Sequence, residues 1–397
     1  MGKVLCAWEL GGGRGHLAVI SNLNRALLEL GYQPAVSLKD LHQAHQFFDL
    51  DADTLVQAPV WQPQYKTKYP VRSLADALML KGYRDVGTLK AMVMAWRHLM
   101  EMFQVNVLFS NYAPTAQLAA RSLGLPIITV TSGFALEPAG KPCICWQTFE
   151  PLVQNGLSAN EERCLDTVNQ VRSDLGMPEQ AFLSDINLAD VHIFHHLAEL
   201  DIYAGFRSGE AIYQPFSSPP INESIRVKDG SKGAVILAYL VSYYPKLDIV
   251  LEALCRIKGK VIVSCPGLPV SKVAEWQERG LEIYNQLLNL DVVLPQAQLV
   301  IGNGGIGIVS QALSHGVPFL GLPFHMENLS NCKAAQGAGV GEYLARVENP
   351  DEVAAFVMQC LKNTCIREQC EKLRDQNTDK INKPLTESLK QAISMLP

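Results

Sequence analysis

No stretch of this chain is long and apolar enough to cross a bilayer; its hydrophobic runs stop short of the roughly 18 residues a membrane helix needs. Charge of one sign is not in excess. Lys and Arg number 34 against 39 Asp and Glu, a net −5, so the positive field of a nucleic-acid binder is missing. The start, Met1-Gly2-Lys3-Val4-Leu5-Cys6, runs straight into a strand pattern and lacks a secretory layout. Met1-Gly2 carries Cys6 where an acylation motif wants Ser or Thr. A cytoplasmic protein is the expectation. Zinc spacing is also wanting: Cys143-x-Cys145 and Cys360, Cys365 and Cys370 fit no metal pattern. Ten scattered cysteines then read as reduced thiols, with no metal and no cofactor expected. No internal repeat is visible. What is present, 397 residues of which 48% are hydrophobic and 18% charged, suits a globular chain of two or three domains.

The densest information lies between Leu299 and Leu344. A short apolar run, Leu299–Ile301, precedes the turn Gly302-Asn303-Gly304-Gly305-Ile306-Gly307. A helical stretch over Ile308–His315 stops at Gly316, and Val317–Leu322 reads as the next strand. This is a βαβ unit whose turn is suited to anions, because glycines admit a ligand close to the backbone and a helix start offers free N–H groups. A second glycine turn, Gly11-Gly12-Gly13-Arg14-Gly15-His16, lies between the strand Lys3–Ala7 and a helix with apolar residues at Leu17, Ile20, Leu23, Leu27 and Leu30. Read alone, that turn also suits a dinucleotide site, with Asp40 near the end of the strand Ala35–Leu38 as the acid. The glycine turn in the other half argues against a dehydrogenase. Strands and helices alternate through both halves, which predicts α/β layers. The Pro- and Ser-rich segment Tyr213–Pro220 marks a linker.

The order Gly304-Gly305, Gly316-Val317-Pro318, Pro323, Glu327-Asn328, Asn331 resembles the donor-sugar motif of GT-B glycosyltransferases of the UDP-glycosyltransferase (family 1) type. The Gly15-His16 entry to the first helix is similar to the same enzymes. The resemblance implies two Rossmann-like doubly wound domains facing a cleft, with a C-terminal helix returning to the first. The expected divisions are 1–214 (acceptor-binding), 215–232 (linker), 233–375 (nucleotide-sugar-binding) and 376–397 (returning helix). It implies a metal-independent, hexosyltransferase-like inverting enzyme acting on a nucleotide-diphosphate sugar co-substrate and a hydroxyl of a small, lipophilic acceptor.

The resemblance also assigns candidate residues. His16 would be the general base, a task suited to an imidazole. The family's orienting Asp falls on Asn111, and Glu9 is the alternative acid. Gly304, Gly305, Ile306 and Gly307 would present amides to the diphosphate. Asn303 stands where the family has His, as a neutral donor, and Gln311 where it has Glu, beside the ribose. Leu294 lies where backbone groups hold the nucleobase, and Glu327 and Asn328 would bond the sugar. Gly13, Ser132, Gly133 and Phe134 would border the acceptor. The stretch 60–105, rich in Met and aromatic residues (Trp61, Tyr65, Tyr69, Met79, Tyr83, Met92, Trp96, Met100), suits an acceptor cleft or plain core. No nucleic-acid partner is expected; peripheral membrane contact and oligomeric state stay open. So do a peptidoglycan-type N-acetylglucosaminyltransferase, a sugar-nucleotide epimerase, and a non-catalytic ligand-binding member, the last prompted by Asn111, Asn303 and Gln311.

Overall fold

The computed structural model describes residues 2–62, 71–140, 142–146, 150–151, 155–207, 211–217 and 235–397. Most of the expected linker, from 218 on, and Tyr65 and Tyr69 lie outside the described residues. The chain divides into two compact units. One comprises Met1–His195, Gly205–Gln214 and Pro384–Pro397; the other comprises His196–Ala204 and Pro215–Lys383.

The first unit is built on a seven-stranded parallel sheet. Its strands are β1 (Lys3–Trp8), β2 (Gln33–Leu38), β3 (Thr54–Gln57), β4 (Val107–Asn111), β5 (Ile127–Thr131), β6 (Val191–Phe194) and β7 (Ile212–Tyr213), in the order β3-β2-β1-β4-β5-β6-β7. The helices are α1 (Arg14–Glu29), α2 (Leu74–Met79), α3 (Val86–Met102), α4 (Pro114–Ser122) and α5 (Asn155–Asp174). Strands such as Val4–Trp8 and Ile127–Val130 are apolar on both sides because helices cover both faces of a parallel sheet. Strand order reverses between β1 and β4, where Trp8 is in register with Asn111. At such a switch point the flanking loops part at the carboxyl ends and leave room for a ligand.

The second unit holds a six-stranded parallel sheet. Its strands are β8 (Val235–Tyr239), β9 (Lys260–Ser264), β10 (Glu282–Tyr284), β11 (Leu299–Gly302), β12 (Phe319–Gly321) and β13 (Gly341–Tyr343), in the order β10-β9-β8-β11-β12-β13. Its helices are α6 (Leu247–Cys255), α7 (Val270–Glu278), α8 (Leu290–Val293), α9 (Ile306–Ser314), α10 (Met326–Gly337), α11 (Pro350–Lys362), α12 (Thr364–Gln376) and α13 (Thr378–Asn382). Here the reversal falls between β8 and β11, with Tyr239 in register with Gly302. Two apolar clusters, one on each face of the sheet, form the core. Leu294 opens the 3-10 turn Leu294–Gln296, and Pro295 has no N–H to extend a ladder there.

The pair of Rossmann-like domains expected from the sequence is therefore present. The chain also returns to the first unit through α14 (Leu385–Ser394), which packs on α1. Residues 376–383, expected in that returning helix, end α12 and form α13 within the second unit. In α14, Leu389 and Ala392 are fully buried and the Ser388 hydroxyl donates to Gln214 Oε1 at 2.7 Å. Met79, Tyr83, Met92, Trp96 and Met100 are buried as well, so this part of the Met- and aromatic-rich stretch is core. Among the described residues no helix is long and apolar enough to cross a membrane. Truncating Leu389 to Ala is expected to destabilise the first unit by about 2–5 kcal/mol, the usual loss for a buried leucine. Urea unfolding followed by Trp fluorescence measures it.

Candidate functional site

The site in the first unit grows from the ends of β1 and β4. After Trp8 the chain makes a glycine turn into α1, and the Leu10 amide donates to Tyr112 O at 2.9 Å, tying that turn to the loop after β4. Gly11 has φ +78°, and a Cβ there would lie 2.4 Å from His16 Nε2. Only glycine lets the turn close over the imidazole. Gly13, the N-cap of α1, also has positive φ and gives the helix no side-chain cap.

His16, in the first turn of α1, has its Nδ1 2.5 Å from Asn111 Oδ1. The other half of that amide is committed, since Asn111 Nδ2 donates to Val130 O at 2.6 Å. Oδ1 is thus the acceptor, Nδ1 carries the proton, and Nε2 keeps its lone pair. The ring stacks on Trp8 at 4.9 Å between centroids with 14° between planes. Burial pushes the imidazole down to about 4; the Asn111 hydrogen bond opposes this and the positive charge of Lys39 adds to it. At neutral pH the ring is uncharged with a free Nε2.

Glu9 does not orient the histidine. Its carboxylate accepts from the Thr115 amide at 2.8 Å and from the Thr115 hydroxyl. It thereby caps α4, whose own N-cap, Ala113, has no polar side chain. Burial raises Glu9 to about 7 against those hydrogen bonds. Tyr83 extends the network through a 2.7 Å hydrogen bond between its hydroxyl and that of Thr115. Sequence reasoning picked the right neighbourhood for Glu9 and the wrong task, because nothing local shows that α4 lacks a cap. It also passed over Trp8, Gly11 and Lys39. The Lys39 ammonium donates to Gly11 O and holds the turn from the β2 side.

Ser132, Gly133 and Phe134 follow β5 in a 3-10 turn, Gly133–Ala135. Arg207 pins this turn by donating to Gly133 O at 2.9 Å and Leu136 O at 2.7 Å, with its guanidinium 4.4 Å above the Phe194 ring. Phe134 points into the interior, 4.9 Å from Trp146. Beneath it lies a buried acid: Trp146 Nε1 donates to Glu137, while Glu161 accepts from the Cys143 amide at 3.0 Å. Burial first, and the negative charge of Glu161 also, push Glu137 up to about 8, though the Trp146 bond pulls the other way.

In the second unit the reversal between β8 and β11 opens onto the other glycine turn. Asn303, expected to donate to phosphate, is occupied inside the fold. Its Oδ1 accepts from the Val241 amide at 3.0 Å and its Nδ2 donates to Leu322 O at 3.1 Å, stapling the loops after β8, β11 and β12. Gly304 has φ +86°; a Cβ would meet Asn328 O at 2.6 Å and Cys332 Sγ at 2.7 Å. Asn331 Nδ2 grips Gly304 O at 2.9 Å. Gly305 and Gly307, by contrast, have nothing within 4 Å of where a Cβ would stand. The turn is clamped on its inner side and bare on its outer side.

Helix α9 starts at Ile306 with no side-chain cap and no acid in its first turn, so its leading amides are left for a ligand. Ile306 itself is buried, and Gln311 sits half-buried one turn on. At the start of α10, His325 Nδ1 accepts from the Asn328 amide at 3.4 Å. Glu327 is half-buried, with its carboxyl raised to about 7 by burial, and Asn328 is buried with its Oδ1 unpartnered. Leu294 does not offer free backbone groups: its amide donates to Leu290 O, its carbonyl accepts from Ala297, and its side chain is core. Among the described residues no group of three or more His, Cys, Asp or Glu is arranged to hold a metal ion.

Residues 248–394 match the family model described as erythromycin biosynthesis protein CIII-like, C-terminal domain. A PGL/p-HBAD biosynthesis glycosyltransferase of Mycobacterium tuberculosis (strain ATCC 25177 / H37Ra) is 38% identical over 131 residues, 32% of this chain and 29% of that one. The chain thus spans under a third of the length of the curated relatives it matches. Whole-chain likeness comes from solved structures. The glycotransferase of kitacinnamycin superposes with TM-score 0.69 at 17% identity, covering 100% of this chain and 99% of its own. The spinosyn rhamnosyltransferase SpnG complexed with thymidine diphosphate gives 0.67 at 15% identity, covering 98% and 100%. The resemblance read from the sequence is borne out in the GT-B fold and in the carboxyl-terminal family match.

The raised Glu137 carboxyl has a consequence for stability. An acid whose folded pKa lies above its unfolded value binds more protons when folded, so stability falls as pH rises from about 4.5 toward about 8. Glu137→Gln keeps an acceptor for Trp146 and removes the titration. The variant is expected to match or trail the native protein at pH 5 and to exceed it by on the order of 1 kcal/mol or more at pH 9 in urea unfolding.

Proposed function

With a GT-B fold and an EryCIII-like carboxyl-terminal match as premise, we propose that the chain is an inverting glycosyltransferase. It moves a hexosyl group from a nucleoside-diphosphate sugar to a hydroxyl of a small lipophilic acceptor. The observation that carries the reading is the His16–Asn111 hydrogen bond, which leaves Nε2 of a neutral imidazole as a proton acceptor. His16 Nε2 takes the acceptor hydroxyl proton as that oxygen attacks the anomeric carbon from the face opposite the diphosphate. The bond to the diphosphate breaks and its electron pair leaves with the phosphate. The uncapped first turn of α9, reached across Gly305 and Gly307, binds the diphosphate through backbone amides and stabilises the departing charge. Glu327 and the unpartnered Asn328 carbonyl accept from sugar hydroxyls. The scheme needs no metal ion.

The similar SpnG structure with thymidine diphosphate supports a nucleoside diphosphate as the donor class, to be tested with both thymidine and uridine forms.

Three outcomes are expected. His16→Ala lowers kcat by about 10²–10⁴ while leaving thermal stabilisation by the nucleoside diphosphate unchanged. Because the imidazole is depressed to about 4, kcat/KM measured in a Glu327→Gln background, which removes the donor-site carboxyl raised to about 7, stays level from pH 8 to about pH 5 and falls toward pH 4, well below the ordinary histidine range. Gly305→Leu, which fills open space with an unstrained backbone, weakens nucleotide binding about tenfold or more without lowering the melting temperature of the free protein. Nucleotide binding by the native protein with no turnover of any nucleotide sugar would point to a non-catalytic ligand-binding member.

A further inference from the structure

The proposed base has an unusual weakness. It is half-buried, its hydrogen bond goes to a neutral amide, and the acid beside it in sequence faces another way, into the start of α4. Once the imidazole takes a proton, the new charge would sit against neither Asp nor Glu among the described residues. The charged groups around the ring are Lys39, which donates to Gly11 O, and Glu9, committed to Thr115; Arg14, on the same helix as His16, donates to Gln43 at 2.6 Å. In a serine protease, exchanging the equivalent acid for an amide costs about 10⁴ in rate, a worked case in which the tautomer is also lost. Here the tautomer is kept, because Val130 O fixes the amide orientation.

We infer that the indole face of Trp8 takes over the missing acid's electrostatic task, supporting the imidazolium that forms on His16. Trp8 is 2% exposed, and its Nε1 donates to Leu10 O at 2.7 Å, which fixes the ring in its plane. The two rings lie nearly parallel with centroids 4.9 Å apart, within the range over which an aromatic face attracts a cation. Strand register supplies the rest: Trp8 and Asn111 are partners across β1 and β4, so one backbone pairing sets both the hydrogen bond and the stack. Indole is the strongest aromatic partner for a cation, and the effect grows when water is excluded. Trp8 is a positioning residue in this scheme and does not touch substrate. The inference rests on reading His16 as the base.

The test grades the π face without altering its shape. Tryptophans carrying one, two and three ring fluorines are placed at position 8. The His16 imidazole pKa is read by nitrogen-edited NMR, and kcat and acceptor KM by turnover. Both the pKa and log kcat should fall in step with fluorine number, kcat by about tenfold across the series, with KM unchanged. Trp8→Leu should lower kcat by about tenfold or more with the melting temperature kept. An imidazole pKa or a kcat that stays flat across the fluorine series overturns the inference, as does a Trp8→Leu protein that melts like the native one and keeps its kcat. If the native protein turns over no nucleotide sugar, the pKa series still decides whether Trp8 supports the charged ring, and the loss falls on the functional reading alone.

Discussion

The chemistry of the first unit depends on the pairing of β1 with β4 in a register that sets Trp8 opposite Asn111. A shift of one residue would put these two side chains on opposite faces of the sheet. His16 could then no longer keep both its hydrogen bond and its stacking partner. The glycine turn between β1 and α1 serves this pairing: Gly11 lets the chain fold tightly over the imidazole, and Lys39 holds the turn closed from the neighbouring strand. Sheet topology, turn geometry and the protonation state of one ring are thus a single arrangement.

The second unit solves a different problem with the same topology. Under the proposed function its turn presents bare amides, and the side chains around it do face inward. Asn303 ties together three loop ends, Asn331 grips the Gly304 carbonyl, and Cys332 fills the notch beside Gly304. The outer positions Gly305 and Gly307 are left empty. Rigidity on one side and vacancy on the other is what a helix start requires if an anion is to meet its dipole without first displacing a side chain.

What could be read from the chain alone follows from how local each feature is. The alternating strands, the two glycine turns and the placing of His16 at a helix entry are encoded within a few residues, and the fold followed from them. Asn111 was reached through the resemblance, whose orienting acid falls at the end of β4. Glu9 was misassigned because its partner is a helix more than 100 residues away whose missing cap leaves no mark in the sequence. Asn303 looked like a ligand and proved to be a staple, since an amide in a glycine turn serves either role until its neighbours are known. Trp8 was missed for a related reason: an aromatic at the end of a buried strand is ordinary core until the ring lying against it is identified.

The last helix of the first unit, α14, is made after every residue of the second. During synthesis the amino-terminal sheet emerges early, but the surface of α1 that α14 covers stays uncovered until α14 itself has left the ribosome. The first unit therefore cannot close its own surface before the second unit has been made.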